Sequence, residues 1–459
     1  MIGYKKIIII IVLVIILFTY IYSEQLKIIL LNKLIVLRGI LSPNCNWFHI
    51  SDIVLQDGAG INLYNSFKTK YGDFAPSYMF GKEIYIVSNV THIKTILLNS
   101  PNLFTVGDLK KKFFKSFMSK NVGVSSGCPW KQRRNINDIA LSSDKLHVYA
   151  EYYNTAVNEE ISTWVTRTEL DYTDFRNLGK NMVKKIVFNS TNINDDVFNI
   201  FGEANSISVF YNPNFYINPK IYNKYLKTLT KYINDPNPQS LIELSLGVTN
   251  NKEEVLHQIP HFIFPIVGIF AMTFPRLLLL LINHPNDLKT LIREIYSING
   301  NSMITYANIH KLPFLRKCIL ETLRLNNPVI TTFRTLTEDF TFDGGYDFKK
   351  GTQFLILNNA VLREKEFYKE PNKFIPSRWT PEMEESFYAI SFNQGPQKCP
   401  GKELSIYLLQ SVMYNFIKSK KIGINNTMTS EKIDTNNIPQ VINPCSIKIY
   451  FTPSKNKCK

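Results

Sequence analysis

Cysteine is scarce in this chain: six residues in 459, at positions 45, 128, 318, 399, 445 and 458, with no C-x-x-C pair among them. That spacing excludes a dithiol motif and a cysteine-built zinc site, and so low a density makes no disulfide framework, which suits a reducing compartment. Most of the six read as small buried hydrophobes. No Gly/Ser-rich, Pro-rich or single-charge run breaks the chain, and no repeat with a period of roughly 20–50 residues occurs. A length of 459 residues suggests three domains at about 150 residues each, yet nothing divides the chain. The expectation is therefore one large domain behind a short N-terminal appendage. Acidic residues are also in deficit, 37 Asp and Glu against 53 Lys and Arg, for a net charge of +16. An anionic membrane surface or an acidic partner would suit such a charge. The basic residues are spread along the chain without a nucleic-acid module, so no nucleic-acid partner is expected.

Hydrophobic residues make up 45% of the chain. Their longest uncharged run is at the amino terminus, where Ile7 to Tyr22 carries no charge. As a helix it would span ~24 Å, a little short of the ~30 Å hydrocarbon layer. Lys5 and Lys6 can snorkel, and Tyr20 and Tyr22 can sit at the interface. The stretch after Phe18 lacks the small-x-small pair of a signal-peptidase site. We therefore expect residues 1–24 to form a membrane anchor. Residues 25–43 mix apolar positions with Lys27, Lys33 and Arg38, as an interfacial or linking segment would, with a buried core helix as the alternative. Residues 44–459 remain for the main domain.

The stretch SFNQGPQKCPGKEL places Cys399 between two glycine-containing turns, directly ahead of PGKELSIYLLQSVMYNFI. There Leu404, Tyr407, Leu408, Val412, Tyr414 and Phe416 trace a helical stripe. Cys399 thus stands at a helix N-terminus, where the partial positive charge favours a thiolate. Gly395 and Gly401 permit a loop folded flat against a ligand. Thiolate, tight loop and flat ligand together suggest an axial ligand to haem iron.

The pattern F-x-x-G-x-x-x-C-x-G, present as Phe392, Gly395, Cys399 and Gly401, resembles the haem-binding loop of the cytochrome P450 family of haem-thiolate enzymes. Four further stretches are similar to that family in the same order. Trp130 and Arg134 of WKQRR resemble the helix that reaches a haem propionate. Glu321 and Arg324 of ETLRL, with Arg378 of FIPSRW, resemble a buried structural ion network behind the haem. Arg334 follows in the strand region as a second propionate ligand. LLLLLINHPNDLKTLIREI resembles the end of the central helix. The resemblance implies a mainly α-helical cytochrome P450 fold with a small β region, haem b held by Cys399 as its metal ligand, and a monooxygenase. Such an enzyme acts on a lipophilic small-molecule substrate with electrons from a separate NADPH-dependent reductase. Similarity to the membrane-bound members implies a single-pass protein of the endoplasmic reticulum with its catalytic domain on the cytoplasmic side.

Two positions depart from the family pattern. The basic residue usual two places before the cysteine is Gln397, which weakens one carboxylate contact from a charged to a neutral hydrogen bond. The acid–alcohol pair that relays protons to dioxygen is replaced by Gly268 and Ile269 within Pro265-Ile266-Val267-Gly268-Ile269. No Asp or Glu occurs between Val255 and Asn286, so a shift of register restores no carboxylate. Thr273, one turn on, is the only hydroxyl in reach. Pro265 and Pro275 should kink the helix. Loss of the pair resembles two kinds of family member: those that rearrange lipid peroxides without a reductase, an isomerase or dehydratase activity, and certain sterol hydroxylases that lack the threonine yet remain monooxygenases; a haem-binding protein without catalysis stays as a third reading.

Overall fold

The computed structural model describes residues 59–453 apart from 80–81, 115–117, 199–218, 299–303 and 439–440. The expected anchor, Ile7 to Tyr22, and the segment 25–43 lie outside the described residues. Helices dominate what is described, and the strands gather into three small sheets.

The central feature is a helical rod of 32 residues from Lys252 to Asn283. It starts at Asn251, whose side chain accepts from the Glu254 amide, with Glu253 and Glu254 in the first turn facing the positive end of the helix dipole. It stops at His284, because Pro285 cannot continue the ladder and instead opens the next helix, Pro285–Ser297. By length and apolarity alone the rod could cross a membrane, but 83% of its most apolar window is buried inside the protein. Every residue from Phe270 to Ile282 is buried, the mark of a core helix surrounded on all sides.

Pro275 lies inside the α-helical part of the rod, and Pro265 opens a different kind of turn. Residues Pro265–Ile269 form a π-helical turn between Lys252–Phe264 and Phe270–Asn283. Pro265 has no N–H to donate, and the widened turn takes up that missing bond within a continuous rod. The helix Tyr172–Ile186 packs directly on this turn. It is closed by an Asp171/Asp174 capping box and buries Phe175, Leu178, Gly179, Met182, Val183 and Ile186 on one face. A Cβ at Gly179 would stand 3.1 Å from both the Ile266 carbonyl oxygen and the Val267 Cα, so glycine there lets the two backbones meet.

The helix after the cysteine, Lys402–Ser419, was expected to bury a stripe. It buries every residue from Ile406 to Ile417 and lies under the rod. Beside these helices runs a five-stranded sheet. Phe74–Met79 pairs antiparallel with Lys82–Val87, which pairs parallel with Gln353–Leu357; Thr331–Leu336 pairs antiparallel with that strand and with Phe104–Val106. The last register sets Val106 opposite Arg334. Cys318 is a buried free thiol, Cys128 an exposed one, and Cys445 is disulfide-bonded.

Candidate active site

Only glycine fits at position 395. Its φ is +73°, and a Cβ there would lie 2.4 Å from the Leu97 carbonyl oxygen. The helix Val90–Leu98 and the cysteine loop therefore touch backbone to backbone. The loop is drawn shut by the Cys399 amide donating to the Phe392 carbonyl at 2.8 Å and the Lys398 amide donating to Gly395 at 3.0 Å. Cys399 is a free thiol, set just before the helix Lys402–Ser419. Burial pushes its thiol above the usual range, although the Gly401 amide and the charges of Arg134 and Lys402 pull the other way. A bound cation is what deprotonates such a sulfur.

Cys399 opens into a cavity of about 340 Å³. The structure brings Trp130, Arg134, Ile269, Thr273, Arg334, Phe392, Gln397, Cys399 and Gly401 to its wall. Gly268 and Gly395 are not among its lining residues. Glu321, Arg324 and Arg378 lie apart from it, in the layer behind. Among the described residues the cavity wall includes no Asp or Glu.

Arg334 is buried. Its Nε donates to Ser100 Oγ at 2.9 Å and its Nη1 to the Phe333 carbonyl at 2.8 Å, with no carboxylate among these partners. Burial lowers its pKa to about 10. A buried guanidinium without an anion is costly, and the carboxylate of a bound group would offset that cost. Arg134 is engaged differently. Its Nε donates to Asp138 Oδ2 at 2.8 Å and its Nη1 to the Lys398 carbonyl at 2.6 Å, so it clamps the loop as well as facing the cavity. Thr273 is buried, and its Oγ1 donates to the Ile269 carbonyl at 2.9 Å.

Behind the site Glu321 and Arg324 are fully buried. Arg324 donates from Nε and Nη2 to the carboxylate at 2.9 Å each, and its remaining N–H groups reach the carbonyls of Leu362, Pro371 and Lys373. Glu321 also accepts from Arg378 Nε, the Ile375 amide and Trp379 Nε1. All five guanidinium N–H groups are thereby used. Burial alone would raise the Glu321 carboxyl, but Arg324 and Arg378 hold it below the usual range. Trp379 was missed in sequence, since an indole says nothing about where its N–H points. Lys110 and His261 also line the cavity, and no motif marks either.

A family model described as Cytochrome P450 matches residues 216–449. The chain belongs to the cytochrome P450 family. Among curated relatives, Probable cytochrome P450 12d1 proximal, mitochondrial, of Drosophila melanogaster is 29% identical over 172 residues, 36% of this chain and 33% of that protein. Abscisic acid 8'-hydroxylase 2 of Arabidopsis thaliana is 31% identical over 176 residues, 36% of each. Aromatase of Homo sapiens is 29% identical over 152 residues, 33% of this chain and 29% of that protein. The chain thus aligns with about a third of the length of these relatives. The solved structure of retinoic acid bound cyanobacterial CYP120A1 superposes with a TM-score of 0.72 at 18% identity, over 88% of this chain and 96% of that one. The fold is that of a cytochrome P450, and the family cofactor is haem b bound through a cysteine thiolate. The residues present fit that group: one sulfur, a loop that only glycine can close, and a buried cation facing a wall without carboxylates.

Proposed function

We propose that this protein is a haem-thiolate monooxygenase that oxidises a lipophilic substrate with electrons from a separate NADPH-dependent reductase. The observation that carries the reading is Cys399 opening into an apolar cavity roofed by the π-helical turn. Cys399 would hold the iron, and Arg334, Arg134 and Trp130 would hold the two carboxylates, with Gln397 adding a neutral donor. When bound, haem supplies the oxygen-activating and one-electron chemistry.

Around it the chain excludes water and positions substrate. Phe262, Ile266, Ile269 and Phe270 face the cavity from the rod, and Val329 and Phe333 from the sheet side. Proton handling on the rod rests on Thr273 Oγ1, whose hydrogen is held by the Ile269 carbonyl. Ile269 offers no second hydroxyl. Relatives named for abscisic acid 8'-hydroxylation and aromatase activity, and a structural neighbour that binds retinoic acid, support a small lipophilic substrate and hydroxylation. In this reading residues 1–24 anchor the protein in a membrane, with 25–43 as the link and 44–459 as the catalytic body on the cytoplasmic side.

The test is to supply purified protein with NADPH and a reductase and, separately, with lipid hydroperoxides. Product formed from NADPH and dioxygen supports the monooxygenase. Product formed from hydroperoxide alone replaces it with the isomerase.

A further inference from the structure

The charges around the cavity do not all belong to one ligand. Arg334 reaches Ser100 Oγ, next to the helix against which the cysteine loop packs, and Arg134 clamps that loop. Lys110 has a second set of neighbours. It sits on the short helix Asp108–Phe113, held at the sheet edge by the Gly107 amide donating to the Phe333 carbonyl and the Asp108 amide to Thr335 Oγ1. Its ammonium lies against Gly123, as does the ring of His261 on the rod. A Cβ built on Gly123 would stand 3.8 Å from Lys110 Nζ and 3.6 Å from His261 Cε1. Both side chains are half-buried and both line the cavity. His261 is eight residues before Ile269, or ~12 Å along the helix axis.

We infer that Lys110 and His261 form an anion-binding subsite at the far end of the cavity, which takes the carboxylate of an amphipathic acid substrate. The inference rests on the monooxygenase reading and names its substrate class. Along the rod, the lining residues between His261 and Thr273 are apolar: Phe262, Pro265, Ile266, Ile269 and Phe270. An acid held at Lys110 would therefore lay its hydrocarbon part toward Cys399. Burial, then the charge of Arg334, brings the Lys110 pKa down to about 8, and burial, then Lys110, brings His261 to about 4. Near neutral pH the pair thus offers one ammonium and one neutral imidazole, whose single N–H can donate to the same carboxylate.

The experiment uses full-length haem-loaded protein and matched acid–alcohol pairs: dodecanoic acid with dodecan-1-ol, and 1-naphthylacetic acid with 2-(1-naphthyl)ethanol. Affinity is read by titration calorimetry. The acid of at least one pair should bind about tenfold more tightly than its alcohol, the worth of one charged hydrogen bond. Lys110→Met should remove that preference and leave alcohol binding and haem content unchanged, while Lys110→Arg should keep it. His261→Phe should reduce it in part. Equal binding of acid and alcohol in the unaltered protein in both pairs overturns the inference, as does a Lys110→Met variant that weakens both alike. Loss of haem from Lys110→Met and not from Lys110→Arg would assign the lysine to the cofactor's own carboxylates instead. Failure of the parent reading looks different: the reduced carbon monoxide complex would then lack the thiolate signature whatever the acids do.

Discussion

Cys399 is the residue on which the cofactor depends, and the prediction is spectroscopic. Reduced protein with carbon monoxide should show the red-shifted Soret band of thiolate ligation, and Cys399→His should move it to the imidazole position. An unchanged band in Cys399→Ala would remove the assignment. Gly395→Ala makes a complementary test of the loop. The added methyl would sit 2.4 Å from the Leu97 carbonyl oxygen in a backbone held at φ +73°, at a cost of ~1–3 kcal/mol from backbone strain alone. We expect reduced haem content and a lower melting temperature, measured by absorbance and calorimetry. On the rod, Ile269→Thr supplies the missing hydroxyl at a position that lines the cavity. It should raise product formed per NADPH and lower hydrogen peroxide release. Gly268 is absent from the lining, so Gly268→Asp by itself should do less.

At the scale of elements, the network on Glu321 ties the helix Pro313–Leu325 to the segment carrying Arg378 and Trp379. Removing one member of a buried pair leaves the other charge uncompensated, typically costing about 3–5 kcal/mol. Glu321→Ala should therefore lower the denaturation midpoint far more than removal of an exposed pair such as Lys349–Asp339, whose attraction solvent screens. The pH dependence has a definite sign. The folded Glu321 carboxyl lies below its unfolded value of about 4.3. Its contribution is present above that unfolded value and is lost as pH falls through the folded pKa. Urea titrations between neutral pH and pH ~3 should show a steeper acid loss for the unaltered protein than for Glu321→Gln. Equal slopes would mean that other carboxylates carry the acid transition.

For the whole molecule, the absence of an acid between Val255 and Asn286 and the single hydroxyl there, at Thr273, bear on turnover. Protons must reach the site through Thr273 or ordered water, so NADPH-driven turnover should be poorly coupled, with well under one product per NADPH and the balance appearing as hydrogen peroxide. A ratio near one would show that the departure at Gly268 and Ile269 is harmless. Membrane attachment is tested separately. Full-length protein should resist carbonate extraction, and protein beginning near Asn44 should be released; a mature N-terminus beyond residue 20 would instead identify a cleaved signal.

Local patterns in the sequence were sufficient for whatever depends on neighbours along the chain. The spacing around Cys399, the Glu321–Arg324 pair on one helix face and the stop at His284-Pro285 are all legible because helix geometry and proline sterics act over a few residues. The tertiary structure decided the rest. The cysteine loop is closed by contact with the helix Val90–Leu98, where Gly395 meets the Leu97 carbonyl, a neighbour far away in sequence. Pro265 opens a π-helical turn, and the helix Tyr172–Ile186 meets that turn backbone to backbone at Gly179. Trp379 joins the glutamate network, and Lys110 meets His261 across Gly123. These pairings join residues far apart in sequence, and no periodicity or motif encodes which side chains a folded chain will bring to one wall.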